Sequence, residues 1–237
     1  KTKPTQHSVQ GLLGYGIIPG IIICRSDKKL DPKLKSKMSL FCNVPENCVI
    51  NAYDVGSLYE LPLALREEGL DDRILELLHI WTGAPNLERW KRIHETVKQP
   101  RRGSVTLAMV GKYMELTESY KSLTEAIHHG GISNDCHVNI VYVDSEEIEK
   151  VGVGPVIGQA TDGNGVDAIL VPGGFGSRGS EGKIKAVQYA RENKIPYFGI
   201  CLGLQMAVIE YARNVAGIKE ATSSEFVPDS PHAVIDL

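Results

Sequence analysis

Cysteine pairs at metal-binding spacing are missing from this sequence, and so are long apolar runs. The five cysteines are scattered, odd in number and show no Cys-x-x-Cys spacing, which argues against a zinc site or a disulfide framework. This usage is typical of a reducing compartment, so we expect a cytoplasmic protein. No apolar run approaches the roughly 20 residues that cross a bilayer, and we expect no association with membranes.

A dominant charge is missing as well. The chain has 26 Lys and Arg residues against 29 Asp and Glu residues, with a net charge of −3. This balance lacks the basic excess of a general nucleic-acid-binding protein, so we expect no nucleic-acid partner. The histidines are scattered without a second ligand at metal spacing, and we predict no metal site within these residues.

The most informative feature that is present is one cysteine between two glycines. A short apolar run over residues 195–200 leads into Gly199-Ile200-Cys201-Leu202-Gly203, and a helical pattern follows. This order predicts a strand, a tight turn and a helix, with Cys201 at the turn. The helix dipole and the free amides at a helix N-terminus favour a thiolate, so Cys201 is a candidate nucleophile. The plain alternative is a buried core cysteine at the end of a strand.

A second glycine-rich turn follows another apolar strand, over residues 166–171. The segment Pro172-Gly173-Gly174 comes directly after that strand, and its backbone amides could hold an anionic oxygen. We predict an oxyanion hole made by the amides of Gly174 and of Leu202, next to the nucleophile. Taken alone, the segment could equally be an ordinary glycine turn.

These two segments carry a family resemblance. Residues 172–179 (PGGFGSRG) and 196–205 (PYFGICLGLQ) resemble class I glutamine amidotransferases, and residues 222–229 (TSSEFVPD) resemble the glutaminase domain of CTP synthases. The resemblance implies a catalytic Cys201 and a glutamine pocket that includes Gly173, Gly174, Gln205 and Glu225, with Glu225 on the amino group. It also implies that Arg178 lies in a lid that contributes to activation by GTP, although the residue itself reads as an exposed arginine in a flexible loop.

The N-terminal segment resembles the synthetase domain of the same family. Residues 1–6 read Lys-Thr-Lys-Pro-Thr-Gln, which by themselves would be interpreted as a solvated basic segment. The resemblance implies that UTP or CTP binds at Lys1, Lys3, Gln6 and Lys37. It further implies that ATP binds at Arg25 through phosphate and at Asp54 and Val55 through adenine.

The element pattern predicts an α/β fold in two domains, each with a parallel sheet flanked by helices. We predict a partial Rossmann-like synthetase domain over residues 1–79 and a linker over 80–103, which is polar and contains Pro, Gly and one charged helix. A flavodoxin-like glutaminase domain, incomplete at its C-terminal end, is predicted over residues 104–237.

The resemblance implies a carbon–nitrogen ligase that aminates UTP to CTP, with ATP and with ammonia released from glutamine. It implies Mg²⁺ held by ligands outside this segment, GTP as an allosteric activator and a homotetramer for the full-length protein. We expect residues 1–237 alone not to turn over, since they contain neither the phosphate loop nor the triad His and Glu. Two alternatives stay open: the glutaminase of another synthetase, or a non-catalytic nucleotide-binding or assembly subunit.

Overall fold

A computed structural model describes residues 2–112 and 117–236, and the chain divides into two compact units, residues 1–99 and residues 100–237. The first unit contains five helices and two strands among its described residues. They are α1 (Lys3–Gly14), β1 (Ile22–Ser26), α2 (Pro32–Cys42), β2 (Val49–Tyr53), α3 (Leu61–Glu67), α4 (Leu70–Leu77) and α5 (Glu88–Lys98). Within the described part of the chain, no helix is long and apolar enough to cross a membrane.

The first unit is built on a parallel pair of strands. Strand β1 pairs with β2 in the register that sets Ile22 beside Val49. Helix α2 begins where its sequence predicts, because Asp31 accepts a hydrogen bond from the Lys33 amide at 2.8 Å and Pro32 fills the first turn. A buried cluster of apolar side chains forms the core, namely Val9, Ile22, Cys42, Val44 and Cys48.

Residues 80–99, which include the charged helix α5, cluster with the first unit. Near this helix, His94 Nδ1 lies 4.0 Å from Glu60 Oε2, just before α3. The predicted linker over residues 80–103 therefore includes a helix grouped with the first unit, and its limits stay a prediction.

The second unit alternates strands and helices. Its elements are β3 (Ser104–Gly111), α6 (Lys121–Ser133), β4 (His137–Asp144), α7 (Ser145–Val151), α8 (Val153–Ala160), β5 (Ala168–Val171), α9 (Ser180–Glu192), β6 (Tyr197–Gly199), α10 (Leu202–Asn214), β7 (Thr222–Ser223) and β8 (Ala233–Ile235). Strands β3 to β6 form one sheet in the order β4-β3-β5-β6, with every neighbouring pair parallel.

This strand order is that of the flavodoxin-like sheet, so the predicted α/β class is confirmed. The central strands are apolar along their length because helices cover them. Val110 and Val171 are fully buried, and they pack in one cluster with Ile148 of α7 and Ala186 of α9. A second cluster joins α9 and α10 through Ile184, Met206 and Ile209, among others.

The carboxyl ends of β5 and β6 meet at one edge of this sheet, where ligands bind in open α/β folds. Two glycine-rich segments, residues 172–179 and residues 199–203, follow these strands. Glu225 lies between the short parallel strands β7 and β8, and its neighbour is held by this pair, since the Ser224 amide donates to the Ile235 carbonyl at 2.9 Å. The fold thus brings three separate segments of the sequence to one place.

Candidate active site

Cys201 lies at a tight turn between β6 and α10. Strand β6 ends at Gly199, helix α10 begins at Leu202, and Cys201 is the residue that caps the helix. The Ile200 amide continues the pairing with β5 by donating to the Val171 carbonyl at 3.0 Å, and the Gly203 amide closes the turn on the Ile200 carbonyl at 2.9 Å. The thiol-bearing residue is exposed at the edge of the sheet, beside the first amides of a helix.

The backbone of Cys201 is strained. Its φ is 52° and its ψ is −106°, a left-handed combination that an L side chain rarely adopts. Such a conformation costs on the order of 1–3 kcal/mol and persists only where its surroundings impose it. The turn therefore aims one side chain away from the sheet at the expense of local stability.

Two glycines make this turn possible. A Cβ atom added at Gly203 would lie 2.2 Å from the Val171 carbonyl oxygen, and one added at Gly199 would lie 2.4 Å from the Gly203 carbonyl carbon. Neither position accepts a side chain unless the backbone moves. Tyr197 locks the same turn by donating its hydroxyl to the Gly203 carbonyl at 2.7 Å, and burial raises the pKa of this phenol.

The loop after β5 lies against the cysteine turn. A Cβ at Gly173 would sit 3.5 Å from Cys201 Cβ, and a Cβ at Gly174 would sit 3.5 Å from Leu202 Cδ2. The structure thus brings Gly173, Gly174, Cys201 and Leu202 together. Because Gly173 and Gly174 have no side chains, a small substrate has room to approach the thiol past their backbone.

Glu225 and Gln205 border this loop and this turn. Glu225 is exposed, and its Oε1 accepts a hydrogen bond from the Gly176 amide at 2.7 Å. Gln205 lies in the first turn of α10, where its amide donates to the Cys201 carbonyl at 3.2 Å. Its side-chain Oε1 is buried without a hydrogen-bond partner. An unsatisfied buried carbonyl is a place for a ligand N–H donor.

Three basic side chains lie in this loop or near Lys112, which contacts it. Lys112, directly after β3, donates from Nζ to the Phe175 carbonyl at 2.7 Å. Arg178 pairs with Glu146 of α7 through two contacts, at 2.5 Å and 2.9 Å. Lys183 is only 3% exposed, and burial, together with the charge of Lys112, lowers its pKa to about 8.

In the first unit, the predicted ATP residues lie at the carboxyl ends of β1 and β2. Arg25 forms an ion pair with Asp54, and both side chains are largely exposed, at 70% and 49%. The Asp54 amide donates to the Ser26 carbonyl at 3.0 Å, and Val55 follows half-buried. The position is that of a ligand edge in an open α/β sheet.

The predicted UTP residues lie on neighbouring helices. Lys3 and Gln6 are on α1, where Gln6 Nε2 donates to Thr2 Oγ1 at 3.1 Å. Lys37 is on α2, with its Nζ 5.9 Å from the centre of the Phe41 ring. Lys1 lies outside the described residues.

Comparison with known proteins matches the two units of the chain to two different family models. A family model described as CTP synthase N-terminus matches residues 1–80, and one described as Glutamine amidotransferase class-I matches residues 115–228. Proteins named CTP synthase from Geobacter sulfurreducens and Syntrophus aciditrophicus are 56% and 54% identical to this chain over all 237 residues. The chain belongs to the CTP synthase family.

The chain spans about 43% of the length of these CTP synthases. One solved structure that it resembles is titled Trypanosoma brucei CTPS, glutaminase domain with bound acivicin. That similarity has a TM-score of 0.49 at 45% identity and covers 56% of this chain and 50% of the other. The family predicted from the sequence, with its class I glutamine amidotransferase domain, is confirmed by the two family models and by the CTP synthases of 54–56% identity.

The residues at the carboxyl edges of the two sheets suit different chemical groups. The exposed Arg25 guanidinium suits a phosphate, which it can hold through two donors at once. Gln205 Oε1, which has no hydrogen-bond partner among the described residues, suits an amide N–H. The Glu225 oxygen that does not bind the Gly176 amide suits an ammonium group. Among the residues that the structure describes, no three His, Cys, Asp or Glu side chains are grouped as a metal site.

Sequence reasoning missed the role of Lys112. In the sequence, Gly111-Lys112 lacks the upstream glycine and the following hydroxyl of a phosphate loop, so it indicates no ligand site. A usable signal was its position, since it follows a strand whose carboxyl end opens at the same edge as residues 172–179. Only the fold reveals that its side chain reaches the loop.

Proposed function

We propose that this protein is a glutamine-hydrolysing CTP synthase, which aminates UTP to CTP at the expense of ATP. The observation that carries the proposal is the packing of the Gly173–Gly174 backbone against Cys201, in a chain whose two parts match the two halves of that family. A nucleophile beside free amides is the arrangement that acyl transfer requires.

In the glutaminase half, Cys201 Sγ attacks the side-chain carbonyl carbon of glutamine. The amides of Gly174 and Leu202 hold the oxygen as it becomes negative, ammonia leaves, and a thioester remains. Water then attacks the thioester and releases glutamate. Glu225 holds the substrate ammonium through a charge-assisted hydrogen bond, and Gln205 Oε1 accepts from the substrate amide.

A base must take the thiol proton and pass it to the amide nitrogen, which then leaves as ammonia while the thioester forms. His232 pairs with Glu220 at 3.2 Å and has no carboxylate two residues further on. We therefore expect the triad His and Glu in the part of the relatives' length that residues 1–237 do not match. Within residues 1–237, Cys201 would supply the nucleophile, and the amides of Gly174 and Leu202 would supply the oxyanion donors.

In the synthetase half, ATP phosphorylates the 4-oxygen of UTP, which turns that oxygen into a good leaving group for ammonia. Lys1, Lys3, Gln6 and Lys37 are proposed to hold the pyrimidine nucleotide, and Arg25, Asp54 and Val55 to hold ATP. Mg²⁺, with ligands outside this segment, would neutralise the phosphates. GTP would activate the glutaminase through the Arg178 loop. A homotetramer and a cytoplasmic location complete the proposal.

The decisive experiment uses the protein produced from its complete reading frame. Cys201→Ala should abolish CTP formation from glutamine and leave CTP formation from ammonia unchanged, because only the first route needs the thiol. Cys136→Ala, a half-buried cysteine outside the site, is the matched control and should retain both activities. Loss of both activities in a folded Cys201→Ala protein would contradict the assignment.

A chemical probe tests the nucleophile independently. A diazoketone that mimics glutamine should alkylate Cys201 once, and intact-mass analysis with peptide mapping would locate the adduct. UTP binding measured by calorimetry distinguishes the proposal from the two alternatives. A different glutaminase would be alkylated without binding UTP, whereas a non-catalytic subunit would bind UTP without alkylation.

A further inference from the structure

One peptide group in the loop after β5 is held at both of its polar ends. The Phe175 carbonyl accepts from Lys112 Nζ at 2.7 Å, and the Gly176 amide donates to Glu225 Oε1 at 2.7 Å. These two atoms belong to the same peptide bond, so a cation lies at its oxygen and an anion at its N–H. Each contact is a charge-assisted hydrogen bond, the strong class in proteins.

We propose that Lys112 is a positioning residue of the glutaminase site, which holds the 175–176 peptide and thereby the Gly174 amide in place. The inference rests on the proposed function. Gly174 directly precedes Phe175, whose carbonyl belongs to the held peptide, and it packs on Leu202 beside the nucleophile. A rotation of the loop backbone that turned the Gly174 N–H away from Cys201 would also disturb the 175–176 peptide and both of its contacts.

The side chain of Lys112 is itself guided to this position. Its backbone carbonyl accepts from the Tyr120 hydroxyl at 3.0 Å. Gly179 lies beside its stem, since a Cβ added at Gly179 would be 3.4 Å from Lys112 Cγ. The ammonium is 3.9 Å from the position of a Cβ at Gly176, so a glycine also gives it access to the loop.

The two carboxylate oxygens of Glu225 have different roles in this proposal. Its Oε1 is committed to the Gly176 amide, and its second oxygen remains for the substrate ammonium. The hydrogen bond that Lys112 Nζ donates among the described residues goes to the loop backbone, on the other side of the peptide. Removal of Lys112 should therefore lower kcat, which depends on the oxyanion donors, more than it raises KM, which depends on substrate contacts.

The test compares three variants in the protein produced from its complete reading frame. Lys112→Met, which keeps the stem and removes the donor, should lower kcat for glutamine hydrolysis about tenfold, the loss expected from one charge-assisted hydrogen bond, with KM changed less than about twofold. Lys112→Arg should restore most of kcat. Lys150→Met, an exposed lysine paired with Glu147, is the control and should behave as wild type.

Two further measurements make the outcome decisive. Amide hydrogen exchange across residues 172–179 should accelerate in Lys112→Met and not in Lys150→Met, and CTP formation from ammonia should stay unchanged. An unchanged kcat or unchanged exchange would overturn the inference, and so would a parallel loss of the ammonia-dependent activity. If wild-type protein hydrolysed no glutamine, the proposed function would fail, and exchange would still decide whether Lys112 holds the loop.

Discussion

The two candidate sites lie at the carboxyl ends of parallel strands, but one consists mainly of backbone and the other mainly of side chains. In the second unit the site is mostly backbone, because residues 173–174 and 199–203 approach so closely that side chains are excluded. In the first unit the site is made of exposed side chains, with Arg25 paired to Asp54 in front of the strand ends. Both units use the carboxyl ends of their strands, as open α/β sheets do.

This contrast shows where function and stability are coupled. A site made of backbone depends on the packing beneath it, so a substitution there changes the fold and the chemistry together. A site made of exposed side chains can lose a charge while the fold persists. The following predictions test the contrast, and each compares a position in one unit with a matched position elsewhere.

Gly203→Ala should have the largest effect. The new Cβ would meet the Val171 carbonyl oxygen at 2.2 Å, and that obstacle is backbone and cannot rotate away. We expect a loss of more than about 4 kcal/mol in the free energy of unfolding of the second unit, measured by hydrogen exchange of the β3 to β6 amides. Gly158→Ala in α8, which meets nothing within 4 Å, should be neutral or stabilising. A loss below about 1 kcal/mol for Gly203→Ala would contradict the close-packed turn.

Arg191→Ala should rank next. Arg191 donates to both oxygens of Glu210, a carboxylate that is only 1% exposed between α9 and α10. Removal of the guanidinium leaves this buried charge with the Asn214 side-chain amide, at 3.1 Å, as its other donor among the described residues. We expect a loss of about 3 kcal/mol in stability, by the same exchange measurement.

Arg73→Ala in the first unit is the matched comparison for that pair. Its partner Glu76 is 61% exposed, so this substitution should cost about 0.5 kcal/mol or less. Tryptophan fluorescence reports on this unit, because both tryptophans, Trp81 and Trp90, lie in it. Equal losses for the two arginines would show that burial does not distinguish the pairs.

Lys183→Met should stabilise the second unit in a pH-dependent way. Burial and the neighbouring charge of Lys112 lower the pKa of Lys183 from 10.5 to about 8, while Glu149 opposes the shift. Between these values the unfolded chain binds a proton that the native protein does not, so the wild-type free energy of unfolding rises with pH, by up to about 3 kcal/mol.

The Met variant should lack this rise and be about 2 kcal/mol more stable at pH 7, where the wild-type amine is buried with its charge. Denaturant unfolding followed by circular dichroism from pH 7 to 10 would measure both profiles. Parallel profiles for the two proteins would mean that Lys183 reaches water. Lys185→Met, on the exposed side of α9, controls for the loss of a lysine from this helix.

Arg25→Ala should have the smallest effect on stability. The Arg25–Asp54 pair is exposed, so its loss should change the free energy of unfolding by less than about 1 kcal/mol. Under the proposed function the same change should raise the KM for ATP by at least about tenfold, because a phosphate contact is lost. A stability loss as large as that expected for Arg191→Ala would contradict the prediction that an exposed charge can be lost while the fold persists.

Much of the second unit was accessible from sequence alone. The apolar runs that precede Gly173 and Cys201 predicted strands that lead into glycine turns, and the structure has both, as β5 and β6. These features are local, since a glycine turn and a helix start are encoded by neighbouring residues.

What sequence could not provide is long-range. The Glu225 carboxylate reaches an amide 49 residues earlier, and Lys112 reaches a carbonyl 63 residues later. No periodicity specifies such contacts, because each depends on which strand edges the topology brings together. Likewise, the sequence gives no sign that Glu210 is buried beneath Arg191, because both residues look like ordinary surface charges on helices.

The left-handed backbone of Cys201 has an evolutionary consequence. Glycine would fit this φ of 52° without strain, so a chain that no longer needed a thiol would become more stable by exchanging Cys201 for Gly. Under the proposed function, a cysteine in a conformation that disfavours it is what we expect of a residue retained for its thiol. In a copy of this protein that keeps the fold and has lost the reaction, we therefore expect Cys201 to be among the first residues to be replaced.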